Sequence, residues 1–392
     1  MKSKIKNIIF FFYALKDYLK FNYFELNKIK KANCIFFFPY YHTGGAERVH
    51  LNIVKCIENK NCVVIFTHTS ATKNFLNQFQ EEANCIEINK ILNRKNTFVN
   101  NILKGKISKT INHSKNCKTI FGCNTSFYYQ LLPKISNNIK KIDLFHAFSN
   151  QDYREQEVVD SAQHIDIRIV INKNTKKDLL QFYEKHNIQE KYSNRIQTIG
   201  NGIEIDNKPF ESKNFNEIKI GFVGRWSVEK RPEIFLEIAK KMKLAHPKIQ
   251  FQMIGTGMKS NIKKINDAGI SFLGEVTKKE ELLNFYHDLT FLLITSEYEG
   301  FPMVMMESMA QGVIPICTNV GGISEHITND FNGFLIDDEN HENIINSFCN
   351  QLDKLIKDKS KAFEISKKAF DYAHENFGIE VFNKSYKILF ET

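Results

Sequence analysis

The sequence has 392 residues, of which 42% are hydrophobic and 25% are charged. Such a chain is too long for one ordinary core and too apolar for wholesale disorder, so we expect two domains of about 100–200 residues each. The formal net charge of +10 indicates an anionic partner such as nucleic acid, acidic lipid or a phosphorylated substrate. The alternative is that lysine is simply the common surface residue here.

The cysteines and the apolar runs exclude two classes of protein. None of the eight cysteines has the CxxC spacing or the histidine neighbours of a zinc site, so we expect reduced thiols in a cytoplasmic protein. No stretch of 18 residues is both apolar and uncharged, so no transmembrane segment is predicted. Residues 8–15 resemble the apolar part of a signal peptide, but Lys16 and Asp17 follow in place of a cleavage site.

Residues 1–31 form a basic, aromatic N-terminal arm. They carry eight lysines against Asp17 and Glu25, interleaved with eight aromatic side chains. This composition is typical of an interfacial segment on an anionic bilayer, which predicts peripheral binding to the inner face of the cytoplasmic membrane. The alternative is a helix that packs against the first domain.

From residue 32 onward, short apolar runs alternate with helical patterns, which predicts parallel sheets with crossover helices. An N-terminal Rossmann-like domain is predicted over residues 32–205. A turn at Gly44 and Gly45 follows its first strand and precedes a helix. The predicted strands of this half lie at residues 34–38, 62–66, 119–121, 142–145 and 167–171.

Residues 206–217 are the predicted linker, because they are polar, contain Pro209 and show no periodicity. A second Rossmann-like domain is predicted over residues 218–375, and residues 376–392 are expected to form a helix that packs back on the N-terminal domain. Two doubly wound halves are expected to face each other across a central cleft, beside the carboxyl ends of the strands where such sheets bind ligands. The predicted strands of the second half lie at residues 218–223, 249–254, 289–294, 313–317 and 334–336.

Two glutamates flank a predicted helix start in the segment Glu299-Gly-Phe-Pro-Met-Val-Met-Met-Glu307. Pro302 fits the first turn of a helix, and the free N–H groups there attract phosphate. Glu299 and Glu307 can accept hydrogen bonds from sugar and ribose hydroxyls. Two glutamates at this spacing are otherwise solvated surface charges, but the apolar residues and the Gly/Pro punctuation favour a binding site.

Two cations straddle a predicted strand-to-helix turn that begins at Gly224. Arg225 and Lys230 can bind and neutralise an anionic group such as a phosphate. Gly44 and Gly45 lack Cβ atoms, so their backbone can approach a diphosphate closely.

The run Gly255-Thr-Gly-Met-Lys-Ser260 is not a P-loop. Methionines at positions 253 and 258 stand where that motif requires glycine. We interpret the run as a glycine-rich turn after a strand.

These segments together resemble the family-4 glycosyltransferases, also called glycosyl transferases group 1. The resemblance covers nearly the whole chain after residue 31 and implies the GT-B architecture of two Rossmann-like domains, the first on the acceptor side and the second for the nucleotide sugar. The matching segments are Thr43-Gly-Gly-Ala-Glu47, Phe222-Val-Gly-Arg-Trp-Ser-Val-Glu-Lys-Arg-Pro232, Gly255-Thr-Gly257, the stretch from Glu299 to Glu307, Gly321-Gly-Ile-Ser-Glu-His-Ile327 and Asn332-Gly-Phe-Leu335.

The resemblance also implies a set of site residues. Lys230 and Arg225 would hold the diphosphate, and Glu307 would hold the ribose. Glu299 would bind the sugar hydroxyls, and His146 would contact the sugar ring. No metal ion and no cofactor are expected, because the two cations would neutralise the leaving group. The predicted catalytic residues are Glu299, Arg225, Lys230 and His146. The predicted donor-binding residues are Gly44, Gly45, Gly224, Gly255, Phe301, Pro302, Glu307, Gly321, Gly322 and Ile323.

The function implied is a retaining glycosyltransferase that moves a sugar from a UDP- or GDP-linked donor to a glycan or lipid-linked acceptor. Synthesis of cell-surface polysaccharide, lipopolysaccharide or capsule is the expected context. One alternative is a nucleotide-sugar epimerase or sugar-phosphate synthase on the same fold, and another is a catalytically idle glycan- or nucleotide-sugar-binding subunit. No nucleic-acid partner is expected, because no RNP-like run or recognition helix accompanies the basic charge.

Overall fold

The computed structural model describes residues 2–42, 44–57, 61–148, 154–276, 278–338 and 340–391, with side chains from residue 10 onward. Thr43 of the predicted glycine-rich loop and the side chains of the first three lysines of the arm lie outside this description. The chain divides into two compact units. Unit 1 comprises Met1–Gly200 with Asn383–Thr392, and unit 2 comprises Asn201–Phe382.

Unit 1 is built on a parallel sheet. Its described strands are β1 (Cys34–Phe38), β2 (Cys62–Phe66), β3 (Asn84–Glu87), β4 (Thr119–Cys123), β5 (Lys140–Phe145), β6 (Ile167–Val170) and β7 (Ile196–Thr198). Their order is β3-β2-β1-β4-β5-β6-β7, so the chain starts in the middle and winds outward to both edges, which confirms the predicted doubly wound arrangement. The central strands β1, β2 and β4 are buried along their whole length, which is why each appears as a continuous apolar run.

Helices cover both faces of this sheet. Those that precede unit 2 are α1 (Lys2–Phe24), α2 (Leu26–Lys31), α3 (Gly45–Lys55), α4 (Leu76–Glu82), α5 (Asn89–Leu92), α6 (Thr97–Asn112), α7 (Ser126–Leu131), α8 (Glu155–Ser161), α9 (Lys173–Lys185) and α10 (Gln189–Tyr192). Helix α3 shows how they are attached, because its buried face carries Val49, Leu51, Ile53 and Val54 at helical spacing.

The N-terminal arm is part of unit 1. Helices α1 and α2 pack against α5 and α6, and they bury Ala14, Phe21 and Ile29 in the same core as the sheet. Arg94 adds an ion pair at 3.5 Å to Asp17. The structure therefore shows the alternative of a helix packed on the first domain, while one face of α1 stays exposed. None of the described helices combines the length and the apolarity needed to cross a membrane.

A buried ion pair braces the strands β5 and β6. The guanidinium of Arg168 donates to both carboxylate oxygens of Asp143 at 2.7–3.1 Å, and neither side chain is exposed. Further donors of the guanidinium reach the Val158 carbonyl, the Tyr183 hydroxyl and the Ser161 hydroxyl at 2.6–2.7 Å. A buried charge held by this many hydrogen bonds fixes the sheet just before the strand end that carries His146.

Unit 2 repeats the same topology with six described strands. They are β8 (Lys219–Val223), β9 (Gln250–Ile254), β10 (Ile270–Phe272), β11 (Phe291–Ile294), β12 (Ile314–Thr318) and β13 (Phe334–Ile336). The order β10-β9-β8-β11-β12-β13 is again doubly wound and parallel. The helices beside them are α11 (Pro232–Ala245), α12 (Ile262–Asp267), α13 (Lys279–Asp288), α14 (Met303–Met309), α15 (His341–Lys357) and α16 (Lys359–Asn376).

The predicted linker, residues 206–217, lies within unit 2, and the boundary falls at Gly200, five residues before the predicted one. The segment has no regular structure, as its composition indicated, but its side chains hold it to unit 2. Lys213 Nζ donates to the carbonyls of Tyr286 and His287 at the end of α13, at 3.0 and 2.7 Å. Burial lowers the pKa of Lys213 to about 7. Phe210 packs edge-on against two aromatic rings of α16.

The last helix, α17 (Ile379–Glu391), begins in unit 2, and its residues from Asn383 onward belong to unit 1. There Phe390 packs beside Phe36 of β1 at 5.7 Å between ring centres, and Tyr386 is fully buried. Lys140 Nζ donates to the Leu389 carbonyl at 2.9 Å.

All eight cysteines are free thiols, and six of them are buried. Burial raises the pKa of Cys56, Cys85 and Cys117 to about 12, and that of Cys62 and Cys349 to about 11. The thiols therefore serve as small apolar side chains of the two cores.

Candidate active site

The turn after β8 places the two predicted cations. Gly224 and Arg225 follow the strand directly, a single 3-10 turn covers Val228–Lys230, and α11 begins at Pro232. Arg225 is 56% exposed, and its guanidinium lies 3.2 Å from a carboxylate oxygen of Glu229. The turn thus presents one exposed guanidinium and one half-buried ammonium within six residues.

Lys230 and Glu299 are brought together across 69 positions of sequence. Lys230 Nζ donates to Glu299 Oε1 at 2.6 Å, and the Ser296 hydroxyl donates to the same oxygen at 2.6 Å. Only 9% of the Glu299 side chain is exposed, against 23% of Lys230. The prediction assigned these residues to the diphosphate and to the sugar hydroxyls, and the structure places their charged groups in direct contact.

Arg231 connects the same two loops and was not predicted as a site residue. Its guanidinium donates to the carbonyls of Thr295 and Ser296 at 2.7 and 2.8 Å, while the Thr295 hydroxyl donates back to the Lys230 and Arg231 carbonyls. The backbone of Arg231 is left-handed, with φ 44°, which costs about 1–2 kcal/mol in a residue with a side chain. This network holds the Lys230 turn against the loop that carries Glu299. The only signal in the sequence is its place between Lys230 and Pro232.

Two predicted glycines are required by close backbone approach. Gly255 has φ 140°, and a Cβ on it would lie 1.7 Å from the Gly224 carbonyl oxygen. Gly321 has φ 58°, and a Cβ on it would lie 1.6 Å from the Glu299 carbonyl oxygen. The absence of a side chain therefore lets Gly255 approach the backbone of Gly224, and it lets Gly321 approach the backbone of Glu299.

The segment from Gly321 to Ile323 supports the Glu299 loop through the amide of Gly322. Gly322 N donates to the Gly300 carbonyl at 2.8 Å, and Ile323 N donates to the Val320 carbonyl at 3.3 Å. Ile323 is also fully buried. Both amides donate to protein carbonyls in this structure, and donor binding by Gly321, Gly322 and Ile323 stays a prediction.

Helix α14 begins one residue later than predicted. Pro302 occupies the N-cap with an extended ψ of 123°, and Met303 is the first helical residue. The fixed φ of proline is compatible with the N-cap as well as with the first helical position. Glu307 lies in the second turn and accepts from the Tyr286 hydroxyl at 3.1 Å. The Phe301 ring is buried against His326, with ring centres 4.3 Å apart, so its side chain belongs to the core of unit 2.

The remaining predicted residues belong to unit 1. Gly44 is the N-cap of α3 and has φ −176°, an extended conformation open to any residue, and Gly45 is the first residue of that helix. His146 follows β5, and its Nε2 lies 3.2 Å from Nε2 of His50 on α3. Burial, together with the charge of Arg154, lowers the pKa of His146 to about 4.

His50 and Cys123 were not predicted as site residues, because they are far from His146 in sequence. Each of the three offers one ligand atom, and these atoms lie within 4.8 Å of one another. The surroundings do not fit a metal ion. Burial raises the pKa of the Cys123 thiol well above its usual value, and the charge of Arg154 lies close to both Cys123 and His146. A histidine that binds a metal donates its other ring nitrogen to a hydrogen-bond acceptor. Nδ1 of His50 has no such partner among the described residues.

The profile of the family described as glycosyl transferases group 1 matches residues 204–372, which lie entirely in unit 2. The match covers less than half of the chain and most of unit 2. The matched range includes Arg225, Lys230, Glu299 and Glu307.

Two relatives of known sequence match parts of the chain. An uncharacterized glycosyltransferase of Methanocaldococcus jannaschii is 30% identical over 164 residues, which are 40% of this chain and 44% of that protein. A UDP-Gal:alpha-D-GlcNAc-diphosphoundecaprenol alpha-1,3-galactosyltransferase of Escherichia coli is 28% identical over 155 residues, which are 37% of this chain and 38% of that protein. The chain thus spans less than half the length of these two relatives.

Among solved structures, the fold is similar to that of HepE of Anabaena, crystallised in complex with UDP. The TM-score is 0.72 at 17% identity, with 92% of this chain and 100% of that chain covered. At this identity the likeness concerns the fold, and it confirms the predicted GT-B class.

Proposed function

We propose that this chain transfers a sugar from a nucleotide diphosphate donor to a glycan or lipid-linked acceptor. The observation that carries the proposal is the contact of Lys230 with Glu299. Arg225 lies on the same turn as Lys230, and Arg231 joins this turn to the loop of Glu299. One ammonium has three N–H donors, so Lys230 can keep Glu299 and still donate to phosphate oxygens.

In the proposed reaction the bond between the anomeric carbon and the phosphate oxygen breaks, and a bond from the acceptor oxygen forms on the same face. The departing phosphate oxygen takes the proton of the acceptor hydroxyl, so the configuration at the anomeric carbon is retained. Arg225 and Lys230 stabilise the charge that grows on the leaving diphosphate. Glu299 orients the sugar hydroxyls, and Glu307 holds the ribose.

Sugar transfer is tested by incubating the purified chain with UDP- and GDP-sugars, with and without lipid-linked acceptors, and analysing the products. Transfer requires both substrates, whereas an epimerase converts the nucleotide sugar alone. The anomeric configuration of the product, read by NMR, tests retention. Retained activity in EDTA is expected, and a loss that added metal restores would contradict the metal-free part of the proposal.

The donor base is proposed to be uracil, on the strength of the E. coli relative, whose name specifies UDP-Gal. That name also specifies an acceptor on diphosphoundecaprenol, which supports a lipid-linked acceptor here. Parallel binding titrations with UDP, GDP and ADP by calorimetry test the base. Tighter binding of GDP would replace this part of the proposal without affecting sugar transfer.

We further propose that the exposed face of α1 contacts an anionic bilayer. Phe12, Leu19 and Tyr23 lie on one face of the helix, at spacings of seven and four residues, and they are 56–79% exposed. Beside them a cavity of about 370 Å³ is lined by Lys30, Lys106 and Lys109 together with Tyr23 and Leu26. Aromatic side chains and lysines in this arrangement suit the interface of a membrane with anionic headgroups.

Flotation tests this surface, with vesicles of phosphatidylcholine alone or mixed with phosphatidylglycerol. The double variant L19S/Y23S should release the chain from the anionic vesicles. The control L244S removes a side chain that is 86% exposed on α11, so it should leave flotation unchanged. Equal flotation of all three proteins, or binding to neutral vesicles alone, would contradict the membrane proposal.

A further inference from the structure

Two histidines of unit 1 share one hydrogen bond. The Nε2 atoms of His50 and His146 lie 3.2 Å apart, so one nitrogen carries a proton and the other accepts it. The His50 ring is fully buried and stacks on Phe38, with ring centres 4.2 Å apart and an interplanar angle of 3°. This stacking fixes the plane of the His50 ring, and the hydrogen bond to His146 fixes which edge of the ring faces that residue.

The position of the proton follows from the other nitrogen of His50. Nδ1 of His50 is buried and has no hydrogen-bond partner among the described residues. A buried N–H without an acceptor is more costly than a buried lone pair without a donor, so the proton of His50 sits on Nε2. His50 is then the donor of the shared hydrogen bond, and Nε2 of His146 is its acceptor. A neutral His146 must therefore carry its own proton on Nδ1.

We infer that His50 is a positioning residue that fixes the tautomer of His146, so that His146 presents its Nδ1–H as a hydrogen-bond donor to the sugar. The sugar contact rests on the proposed function, whereas the tautomer does not. Nothing in the proposed reaction uses His50 directly, since it reaches the substrate only through His146.

The surroundings favour the neutral form of both rings. Burial lowers the pKa of His50 well below its usual value, and the neighbouring His146 lowers it further. The guanidinium of Arg154 lies nearby and lowers the pKa of His146 further. The Cys123 thiol beside the pair is kept protonated by burial, and the carboxylates of Asp143 and Glu47 raise its pKa as well. Doubly protonated imidazolium rings at 3.2 Å would repel each other, so the neutral pair is stable around pH 7.

The tautomer is tested by NMR on the full chain labelled with ¹⁵N-histidine at pH 7. Two-bond ¹H–¹⁵N correlations distinguish a protonated from an unprotonated ring nitrogen, and the loss of signals in H146Q assigns those of His146. We expect Nδ1 of His146 to be protonated and Nε2 to be unprotonated. Protonation on Nε2 would overturn the inference, as would a spectrum that changes on addition of EDTA or Zn²⁺, which would indicate a metal between the rings.

Two variants separate positioning from packing. In H50Q the side-chain amide can still donate from the position of Nε2, so His146 should keep its tautomer. H50L fills a similar volume without a donor, so His146 should redistribute its proton toward Nε2. An unchanged His146 spectrum in H50L would overturn the role of His50.

Kinetics test the functional half. H50L should lower kcat about tenfold, the scale of one lost neutral hydrogen bond, and H50Q should restore most of the rate. H341L, which alters an exposed histidine at the start of α15, should leave the rate unchanged. If the tautomer changes in H50L but the rate does not, the contact of His146 with the sugar is overturned. If no variant and no wild-type sample transfers sugar, the proposed function fails, while the NMR result still decides the tautomer.

Discussion

Lys230 Nζ and Glu299 Oε1 lie 2.6 Å apart, and their contact joins the turn after β8 to the loop after β11. Because the Glu299 carboxylate is nearly buried, it depends on Lys230 and on the Ser296 hydroxyl for its partners. The ion pair therefore stabilises the site and also fixes the position of the ammonium that we assign to the diphosphate.

Removal of the ammonium should affect activity and stability together. K230A should lower kcat by about 100- to 1,000-fold, the scale of one preorganised charge partner in a transition state. K230M and E299Q should each lower the free energy of unfolding, because each leaves a partly buried charge unpaired. In urea titrations, the loss of unfolding free energy in the double variant K230M/E299Q should be about 1 kcal/mol smaller than the sum of the losses in the two single variants. Additive losses would contradict a structural ion pair.

Arg225 is exposed, so its substitution should lower kcat without lowering the free energy of unfolding. R225A should lower kcat by about 100- to 1,000-fold while its urea midpoint stays within error of the wild type. K240A serves as the control, because Lys240 is an exposed cation of the neighbouring helix and pairs with Glu237 of the same helix. Near-normal turnover of R225A would remove this residue from the diphosphate site.

Substitution of Gly321 should displace Glu299 without touching its side chain. In G321A the new Cβ would meet the Glu299 carbonyl oxygen, and the left-handed backbone alone costs about 1–2 kcal/mol. We expect a lower unfolding free energy and at least a tenfold loss of kcat, measured on samples shown to be folded by circular dichroism. G105A is the matched control: Gly105 lies within α6, its Cβ would meet nothing within 4 Å, and alanine should stabilise by about 0.5–1 kcal/mol.

Removal of one partner of the buried pair Arg168–Asp143 should destabilise unit 1 strongly. R168M leaves a carboxylate without its guanidinium at zero exposure, so we expect a loss of about 3–5 kcal/mol by urea unfolding. K185M breaks an ion pair whose lysine is 66% exposed, and it should cost less than about 1 kcal/mol. Similar losses in the two variants would show that burial does not decide the contribution of the pair.

Acid should destabilise the fold through His146. Between pH 6.5 and 4.5 the unfolded histidine binds a proton, whereas the folded one, with a pKa of about 4, does not. Unfolding therefore takes up a proton, and the free energy of unfolding falls as pH falls, by up to about 1.4 kcal/mol per pH unit for this one group. H146Q should have a shallower slope over this range than the wild type. Parallel slopes of H146Q and wild type would show that His146 titrates normally.

The sequence predicts the central strands well and the edge strands poorly. The runs at 34–38 and 62–66 match β1 and β2, because strands buried on both faces must be apolar throughout. The run at 334–336 matches β13, which is the one edge strand among those described that the sequence predicts. The edge strands β3, β7 and β10 were missed. They are only three or four residues long and carry polar side chains on their exposed faces.

The candidate site divides in the same way. Motif spacing identified the loops of Lys230 and Glu299, because a strand-to-helix turn is local in sequence. Their mutual ion pair, the network of Arg231 and the bond from His50 to His146 join residues 64–96 positions apart, and no local pattern encodes such pairings. Pro302 was misplaced by one residue because helix boundaries are the least certain part of a sequence-based assignment.

The buried thiols make the chain well suited to site-directed labelling. A thiolate is the species that alkylating reagents attack, and a thiol with a pKa of 11 is ionised to less than about one part in a thousand at pH 7.5. The native cysteines should therefore stay unmodified for as long as the protein is folded. A single new cysteine at Val228, which is 83% exposed beside Lys230, could carry a fluorophore without any other cysteine being replaced, and its emission would report nucleotide binding directly.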